Sequence, residues 1–137
     1  MLFRSLPEGI HCATLEEVRT RFGITSDRRR ELMQRIEEWV EMAKSIQALR
    51  LILDGSFVTN KVSPNDVDAV MLLPVDFQQR IGKSDPLAWE IEHCVRYKEP
   101  PELFVAYSQQ RWNALVEFFS RQRGQGTRRK GLIEVIL

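Results

Sequence analysis

The sequence has little cysteine, no excess of charge of either sign and no long apolar run. Cys12 and Cys94 are too few and too far apart along the chain for a disulfide scaffold or a four-ligand zinc site. The 20 lysine and arginine residues nearly balance the 19 aspartate and glutamate residues, so no overall field attracts nucleic acid or an anionic membrane. Any anionic ligand must therefore be held locally.

No apolar stretch approaches the roughly 20 residues that are needed to span a bilayer. The chain opens MLFRSLPEG, which contains no secretory apolar core. We therefore expect a protein without a membrane-inserted segment, located in the reducing environment of the cytoplasm.

The apolar residues that are present suffice for one core. With 137 residues, 43% of them hydrophobic, we expect a single domain over residues 1–137. Its N-terminal part, at about 14–48, is predicted to be helical. Thr14 and Glu17 have the spacing of a capping box, and apolar residues recur at intervals of three and four after Ser26.

Short apolar runs alternate with helical patterns in the rest of the chain. Strands are predicted at Leu51–Leu53, Val67–Leu73, Leu103–Tyr107 and Leu132–Ile136. Helices between them are predicted to start at Asp85-Pro86 and at Ser108. This order indicates an α/β or α+β domain, built as a small mixed sheet of about four strands flanked by helices.

Asp66 and Asp68 interrupt the run DVDAVMLL, which otherwise has the composition of a buried strand. Aspartate is depleted in strands and is rarely buried without a partner. Residues two apart in a strand share a face, so the two carboxylates would lie roughly 6 to 7 Å apart. A divalent cation between them would relieve their repulsion, and hard oxygen ligands favour Mg²⁺ or Mn²⁺. The alternative is turn chemistry at Asp66 and an exposed strand edge at Asp68.

Gly55 and Ser56 follow the first predicted strand. Glycine allows a phosphate to approach the backbone closely, and the serine hydroxyl and successive amide N–H groups can donate to an anion. A turn that only ends a strand is the simpler interpretation of this pair alone. Beside a carboxylate pair, however, the turn predicts a phosphate site next to a metal site.

The combination resembles the signature of the DNA polymerase beta-like nucleotidyltransferase superfamily. Its elements are an apolar strand, Gly55-Ser56, a spacer of nine residues, and Asp66-Val67-Asp68 followed by AVMLL. The segments LPEGIHCAT, GSFVTNKVSPNDVD and KGLIEVIL resemble a family of small bacterial proteins within that superfamily. The resemblance implies a small mixed sheet flanked by helices, a Gly-Ser turn that holds nucleotide phosphates, and two carboxylates that bind magnesium.

The resemblance also implies a third carboxylate on a later strand. Glu102, just before the third predicted strand, is the candidate, and Glu99 is its rival. Aspartate is usual at this position in the superfamily. Glutamate here leaves two alternatives: its longer side chain reaches the metal or accepts a proton, or the third ligand has been lost.

The function implied is Mg²⁺- or Mn²⁺-dependent transfer of a nucleoside monophosphate from a nucleoside triphosphate to an acceptor hydroxyl. Asp66, Asp68 and Glu102 would be the catalytic and metal-binding residues. Gly55 and Ser56 would bind the nucleotide phosphates, and Lys61 would add a positive charge.

The acceptor is expected to be a macromolecule, a protein or an RNA, because so short a chain has little room for an acceptor-binding domain. Small members of the superfamily are often components of toxin–antitoxin or defence systems. The basic segment Arg121 to Lys130 is a candidate contact for RNA or an acidic partner, with a solvated loop as the simpler interpretation. Two alternatives stay open: a catalytically inactive fold that binds a protein partner, and a nucleotide sensor without transfer.

Other candidate residues have simpler explanations. His11, Cys12, His93 and Cys94 lack the spacing of metal ligands and are expected to pack ordinarily. The three tryptophans lie on apolar helical stripes, which predicts that they are core; they are Trp39, Trp89 and Trp112. Asp54 is expected to cap or to form an ion pair. Arg28 to Arg30 either face solvent or contact another part of the protein.

Overall fold

The computed structural model describes residues 6–121 and 129–137. Within them lie five α-helices, one short 3-10 helix and five strands. In chain order these are β1 (Gly9–Ala13), α1 (Leu15–Phe22), α2 (Asp27–Ile46), β2 (Arg50–Asp54), the 3-10 helix (Ser56–Val58), β3 (Asp68–Leu72), α3 (Phe77–Gly82), α4 (Pro86–Tyr97), β4 (Leu103–Ala106), α5 (Gln109–Ser120) and β5 (Gly131–Val135). The sequence-based expectation of a mixed α/β domain with a sheet flanked by helices is confirmed.

The strands form one mixed sheet in the order β1-β5-β2-β3-β4. The outer pairs β1–β5 and β3–β4 are parallel, whereas β2 runs antiparallel to both of its neighbours. The carboxyl end of β2 therefore meets the amino ends of β3, β4 and β5 at one end of the sheet. Polar residues that flank these four strand ends are brought together by the topology.

Both faces of the sheet are covered. Leu51, Leu53 and Met71 pack with the helices α1 to α4, whereas Ile52 and Val70 pack with α5. This division follows the alternation of side chains along a strand. Even-numbered positions of β2, β3 and β5 face α5, so any functional side chain at an even position of these strands opens toward that helix.

The expectation of about four strands was one strand short. The missed strand, β1, is the first strand in the sheet order and pairs with β5. Its residues are exposed or half-buried, so its sequence GIHCA lacks the apolar run that marks the other strands. The short helix α3 was also not anticipated, because six residues are too few to show a helical period.

The helix starts were predicted well where capping residues mark them. Thr14 and Glu17 form the capping box that begins α1, and Ser26 caps α2. Asp85 and Ser108 accept hydrogen bonds from the first turns of α4 and α5. Capping is a local interaction, which is why residue type and spacing sufficed to place these ends.

One of the three tryptophan predictions is wrong. Trp39 and Trp112 are buried, but Trp89 is 49% exposed. Its indole N–H donates to the carbonyl of Ile81 at 3.2 Å, which holds the ring across the gap between α4 and α3. Among the described residues, no helix combines the length and the apolarity that crossing a bilayer requires.

Candidate functional site

Four carboxylate residues meet where β2 ends and β3 and β4 begin. Asp54 is the last residue of β2 and lies opposite Asp68, the first residue of β3. Glu102 directly precedes β4, and its carbonyl accepts a hydrogen bond from the amide of Ala69 at 2.9 Å. Asp66 lies two residues before β3, and buried Val67 separates it from Asp68. The structure thus places Asp66, Asp68 and Glu102 at one end of the sheet, and it adds Asp54.

The Gly55-Ser56 turn is bonded to Asp66. The amide N–H and the hydroxyl of Ser56 both donate to Oδ1 of Asp66, each at 2.8 Å. The Ser56 hydroxyl oxygen in turn accepts from the amides of Asn65, at 2.8 Å, and Asp66, at 3.2 Å. Two donors of one residue therefore converge on a single anionic oxygen, which is the arrangement that a phosphate oxygen requires.

Gly55 has a backbone conformation that other residues rarely adopt, with φ 99° and ψ 179°. A Cβ atom at this position would lie 3.0 Å from the carbonyl oxygen of Asp66 and 3.1 Å from its Oδ1. The lack of a side chain thus allows the turn to lie directly against the loop that carries Asp66.

The substitution Gly55→Ala is expected to lower the free energy of unfolding by about 1 to 3 kcal/mol, because it adds both backbone strain and a close contact. Gly82→Ala is the matched control: Gly82 ends α3, and an added Cβ would meet nothing within 4 Å. Urea unfolding should show the control unchanged or slightly more stable. Equal stabilities of the two variants would contradict the role given to Gly55.

Asp54 and Lys130 form an ion pair inside the site. Nζ of Lys130 lies 3.0 Å from Oδ2 of Asp54, whose side chain is 5% exposed. Among the described residues, Oδ1 of Asp54 is a buried side-chain oxygen without a hydrogen-bond partner. Burial raises the pKa of Asp54, and the Lys130 ammonium opposes this effect. The sequence-based expectation that Asp54 caps or forms an ion pair is met by the ion pair.

Asp68 carries the largest perturbation in the cluster. Burial, then the charges of Asp66, Asp54 and Glu102, raise the pKa of Asp68 to about 6, and Lys130 opposes them. The ionised carboxylate is therefore held in a place that disfavours its charge. A bound cation would reverse this penalty.

The pH dependence of stability should reveal this penalty. The pKa of Asp68 is about 6 in the folded protein and roughly 4 in the unfolded chain. Between these values the folded state binds more protons, so rising pH lowers the free energy of unfolding. In metal-free buffer, Asp68→Asn is expected to be more stable than the wild type at pH 7, with the difference disappearing below about pH 4. Urea titrations over this range measure it; a difference that stays constant with pH would contradict the shift.

Glu102 lies beside the cluster and has a cationic neighbour. Its Oε1 is 3.6 Å from Nη1 of Arg35, and its side chain is 28% exposed. It raises the pKa of Asp68, so the two carboxylates are close enough to interact. Glu99, the alternative candidate for the third carboxylate, is exposed, and its charge contributes to raising the pKa of Cys94. The geometry thus favours Glu102 over Glu99.

A cavity of about 570 Å³ opens in front of the carboxylates. Its wall contains Gly55, Ser56 and the three aspartates, together with apolar side chains of α5 and the cations Arg121 and Lys130. Glu102 and Lys61 are not among its lining residues. Among the described residues, the lysine in the cavity wall is therefore Lys130.

Two arginines at the start of α2 hold the loop between Ser56 and Asp66. Arg29 is 3% exposed and donates to the carbonyls of Phe22, at 3.1 Å, and Phe57, at 2.7 Å, as well as to those of Thr59 and Lys61. Arg28 donates to the carbonyls of Pro64 and Asn65 at 3.2 and 2.6 Å. A solvated face, the simpler interpretation of this arginine run, is therefore wrong for Arg28 and Arg29. Of the three, Arg30 is the exposed one and pairs with Asp27.

The remaining candidates lie apart from the cavity. His11 is hydrogen-bonded to the carbonyl of Pro7, Cys12 is exposed, and His93 stacks on Tyr97. Most of the basic segment, residues 122–128, lies outside the described residues. At its described ends, Arg121 and Arg129 both pair with Glu117.

Residues 3–136, nearly the whole chain, match DUF6932, which is described as a family of unknown function. The chain belongs to the DUF6932 family. Neither the curated proteins nor the solved structures gave a significant match to it. Membership of DUF6932 assigns no reaction, so the resemblance to nucleotidyltransferases stays a prediction that the site itself must support.

The donor set of this DUF6932 chain suits a hard cation. Asp66 is exposed and Asp68 is half-buried. Asp54 adds a buried oxygen to which no described residue donates a hydrogen bond. Carboxylate oxygens are the ligands that Mg²⁺ and Mn²⁺ prefer. Within the described ranges, no three His, Cys, Asp or Glu side chains are already gathered as a metal-binding group. In the part of the chain that the structure describes, Asp66 and Asp68 form no ion pair with a lysine or arginine, so these two carboxylates would suit a cation best.

Proposed function

We propose that this protein is a metal-dependent nucleotidyltransferase that moves a nucleoside monophosphate from a nucleoside triphosphate to an acceptor hydroxyl. The observation that carries the proposal is the convergence of the Ser56 donors and the carboxylates of Asp66 and Asp68 in one cavity. An anion-binding turn beside a carboxylate pair matches the two needs of a magnesium-bound triphosphate.

The residues divide into a phosphate-binding and a metal-binding group. In this structure the amide N–H and hydroxyl of Ser56 donate to Oδ1 of Asp66. On nucleotide binding these donors would turn to phosphate oxygens and free the carboxylate oxygen for the metal, and Gly55 would let the triphosphate approach the backbone. Asp66 and Asp68 would hold Mg²⁺ or Mn²⁺. When bound, this cation would neutralise phosphate charge and lower the pKa of the acceptor hydroxyl. The cavity of about 570 Å³ falls within the range of small-molecule sites.

The transfer step is a displacement at phosphorus. The acceptor oxygen forms a bond to the α-phosphorus, and the bond from the α-phosphorus to the oxygen that bridges to the β-phosphate breaks. Pyrophosphate leaves with that electron pair. The hydroxyl proton passes to a carboxylate of the cavity wall. The chain's main contribution is positioning and charge stabilisation.

A transfer assay tests the proposal. Purified protein is incubated with each α-³²P-labelled nucleoside triphosphate, Mg²⁺ or Mn²⁺, and an extract of bacterial cells as the source of acceptors. Label is expected on a protein or RNA band, and it should depend on the metal. Nuclease or protease treatment of the band then identifies the acceptor class. Absence of label with all four nucleotides and both metals would count against transfer.

A protein-binding module without transfer is the second candidate. The observation that favours it is that two of the four carboxylates have cationic side chains of the same chain as partners, Asp54 with Lys130 and Glu102 with Arg35. Carboxylates whose charge is neutralised by lysine or arginine in this way bind metal ions less tightly. In this case Asp66→Asn would leave partner binding unchanged in a pull-down with the purified partner, whereas an enzyme would lose transfer.

A further inference from the structure

Lys130 places its ammonium group against one carboxylate of the cluster, that of Asp54. In a two-metal phosphoryl-transfer site, carboxylates hold two cations about 4 Å apart. Here Nζ of Lys130 lies 3.0 Å from Oδ2 of Asp54. Lys130 directly precedes β5, which lies on the other side of β2 from β3. Asp54 and Asp68 are cross-strand neighbours, so the ammonium is adjacent to the carboxylates that suit a cation.

The backbone fixes Lys130 in this position. Its amide donates to the carbonyl of Ser120 at 2.8 Å, and the next amide, that of Gly131, donates to the carbonyl of Leu6 at 3.0 Å. A Cβ atom on Gly131 would lie 2.1 Å from the carbonyl oxygen of Pro7, so the chain packs tightly here. The lysine is held between the end of α5 and the segment that precedes β1.

The net charge of the carboxylate cluster matches that of one divalent cation. Among the described residues, Asp54, Asp66, Asp68 and Glu102 contribute four negative charges to the cluster, and Lys130 and Arg35 supply two positive charges within ion-pair distance of them. Arg121 of the cavity wall pairs with Glu117, outside the cluster. Two negative charges remain, which one divalent cation balances. A second divalent cation would have to displace the Lys130 ammonium from a carboxylate whose side chain is 5% exposed.

We propose that the site binds a single divalent cation, at Asp66 and Asp68, and that Lys130 supplies the second positive charge. The inference rests on the proposed function and deepens it, because it assigns the triphosphate one metal ion and one protein ammonium group. Lys130 thereby acts both as the counter-ion of Asp54 and as a phosphate-facing cation in the cavity wall.

The number of bound Mn²⁺ ions tests the inference. Electron paramagnetic resonance of free Mn²⁺, titrated into the full chain without nucleotide, gives the stoichiometry. The wild type is expected to bind one ion per chain. Lys130→Met should bind two, since Asp54 becomes available, and Lys130→Arg, which retains the charge, should bind one. The double variant Asp54→Asn/Lys130→Met should return to one.

The outcomes separate the inference from the proposed function. Two ions bound by the wild type, or one ion bound by folded Lys130→Met, would overturn the inference and leave metal dependence standing. No Mn²⁺ bound by any of the chains would overturn both. If Lys130→Met does not fold, the double variant Asp54→Asn/Lys130→Met decides, because it removes both charges of the ion pair and leaves the net charge of the cluster unchanged. It should bind one ion with an affinity within about threefold of the wild type, and a loss of binding would make Asp54 a metal ligand and refute the single-ion site.

Discussion

Replacing either Asp66 or Asp68 by asparagine is expected to lower nucleotide transfer at least about 100-fold. Asparagine has nearly the same shape as aspartate but no charge. The substitution should therefore weaken binding of the cation and leave the surrounding contacts in place. The cation contributes several kcal/mol of transition-state stabilisation, and each 1.4 kcal/mol corresponds to about a factor of ten in rate. The measurement is the initial rate of label transfer at saturating Mg²⁺.

Asp76→Asn is the matched control for this loss. Asp76 is an exposed aspartate at the start of α3, and it is not among the residues of the cavity wall. Its rate should equal that of the wild type. The two site variants should retain the wild-type circular dichroism spectrum, and Asp68→Asn should unfold at a higher temperature in metal-free buffer at pH 7, because its penalty of charge burial is removed. Transfer that persists in both variants would show that these carboxylates are not the catalytic pair.

Arg29→Met is expected to cost about 3 to 5 kcal/mol of folding stability, the largest structural effect predicted for a single substitution in this chain. The guanidinium is 3% exposed and donates to four carbonyls, three of which belong to the segment after Ser56. Methionine fills a similar volume but leaves these carbonyls without donors. Each buried carbonyl left unpaired costs about 1 to 3 kcal/mol.

Arg30→Met provides the matched control, since Arg30 is the next residue of the same helix and 56% of its side chain is exposed. Its ion pair with Asp27 is worth less than about 1 kcal/mol. Thermal unfolding should show a fall of about 10 °C or more for Arg29→Met and only a few degrees for Arg30→Met. Similar midpoints for the two variants would mean that Arg29 does not hold the loop.

The Arg29 effect should extend to the site. The loop that Arg28 and Arg29 hold leads directly to Asp66, whose carboxylate the Ser56 turn binds. Loosening the loop should therefore weaken nucleotide binding even at temperatures at which Arg29→Met remains folded. This role of Arg29 could not be predicted from the sequence, because an arginine run in the first turn of a helix more often faces solvent.

The parts of the fold that could be predicted depend on local patterns. The continuous apolar runs of β2 and β3 mark strands that are buried on both faces, and capping residues such as Thr14 and Ser108 mark helix starts. The edge strand β1 is exposed, so no apolar pattern reveals it. Its place in the sheet is set by pairing with β5, at the other end of the chain.

The candidate site was predictable in part for the same reason. Gly55, Ser56, Asp66 and Asp68 lie within one short segment, and their spacing carries the signal. The Asp54–Lys130 pair depends on β2 lying beside β5, a tertiary contact that spacing cannot show. Asp54 did leave one signal: an acidic residue that ends a buried strand directly before the glycine of the turn needs a charged partner.

Nucleoside triphosphate binding with and without Mg²⁺ is the most direct test of the central claim, because it does not require knowledge of the acceptor. Isothermal titration of the wild type is expected to show saturable binding that requires Mg²⁺ and is lost in the double variant Asp66→Asn/Asp68→Asn. Binding that ignores Mg²⁺, or that the double variant retains unchanged, would contradict a metal-dependent nucleotide site at the end of this sheet.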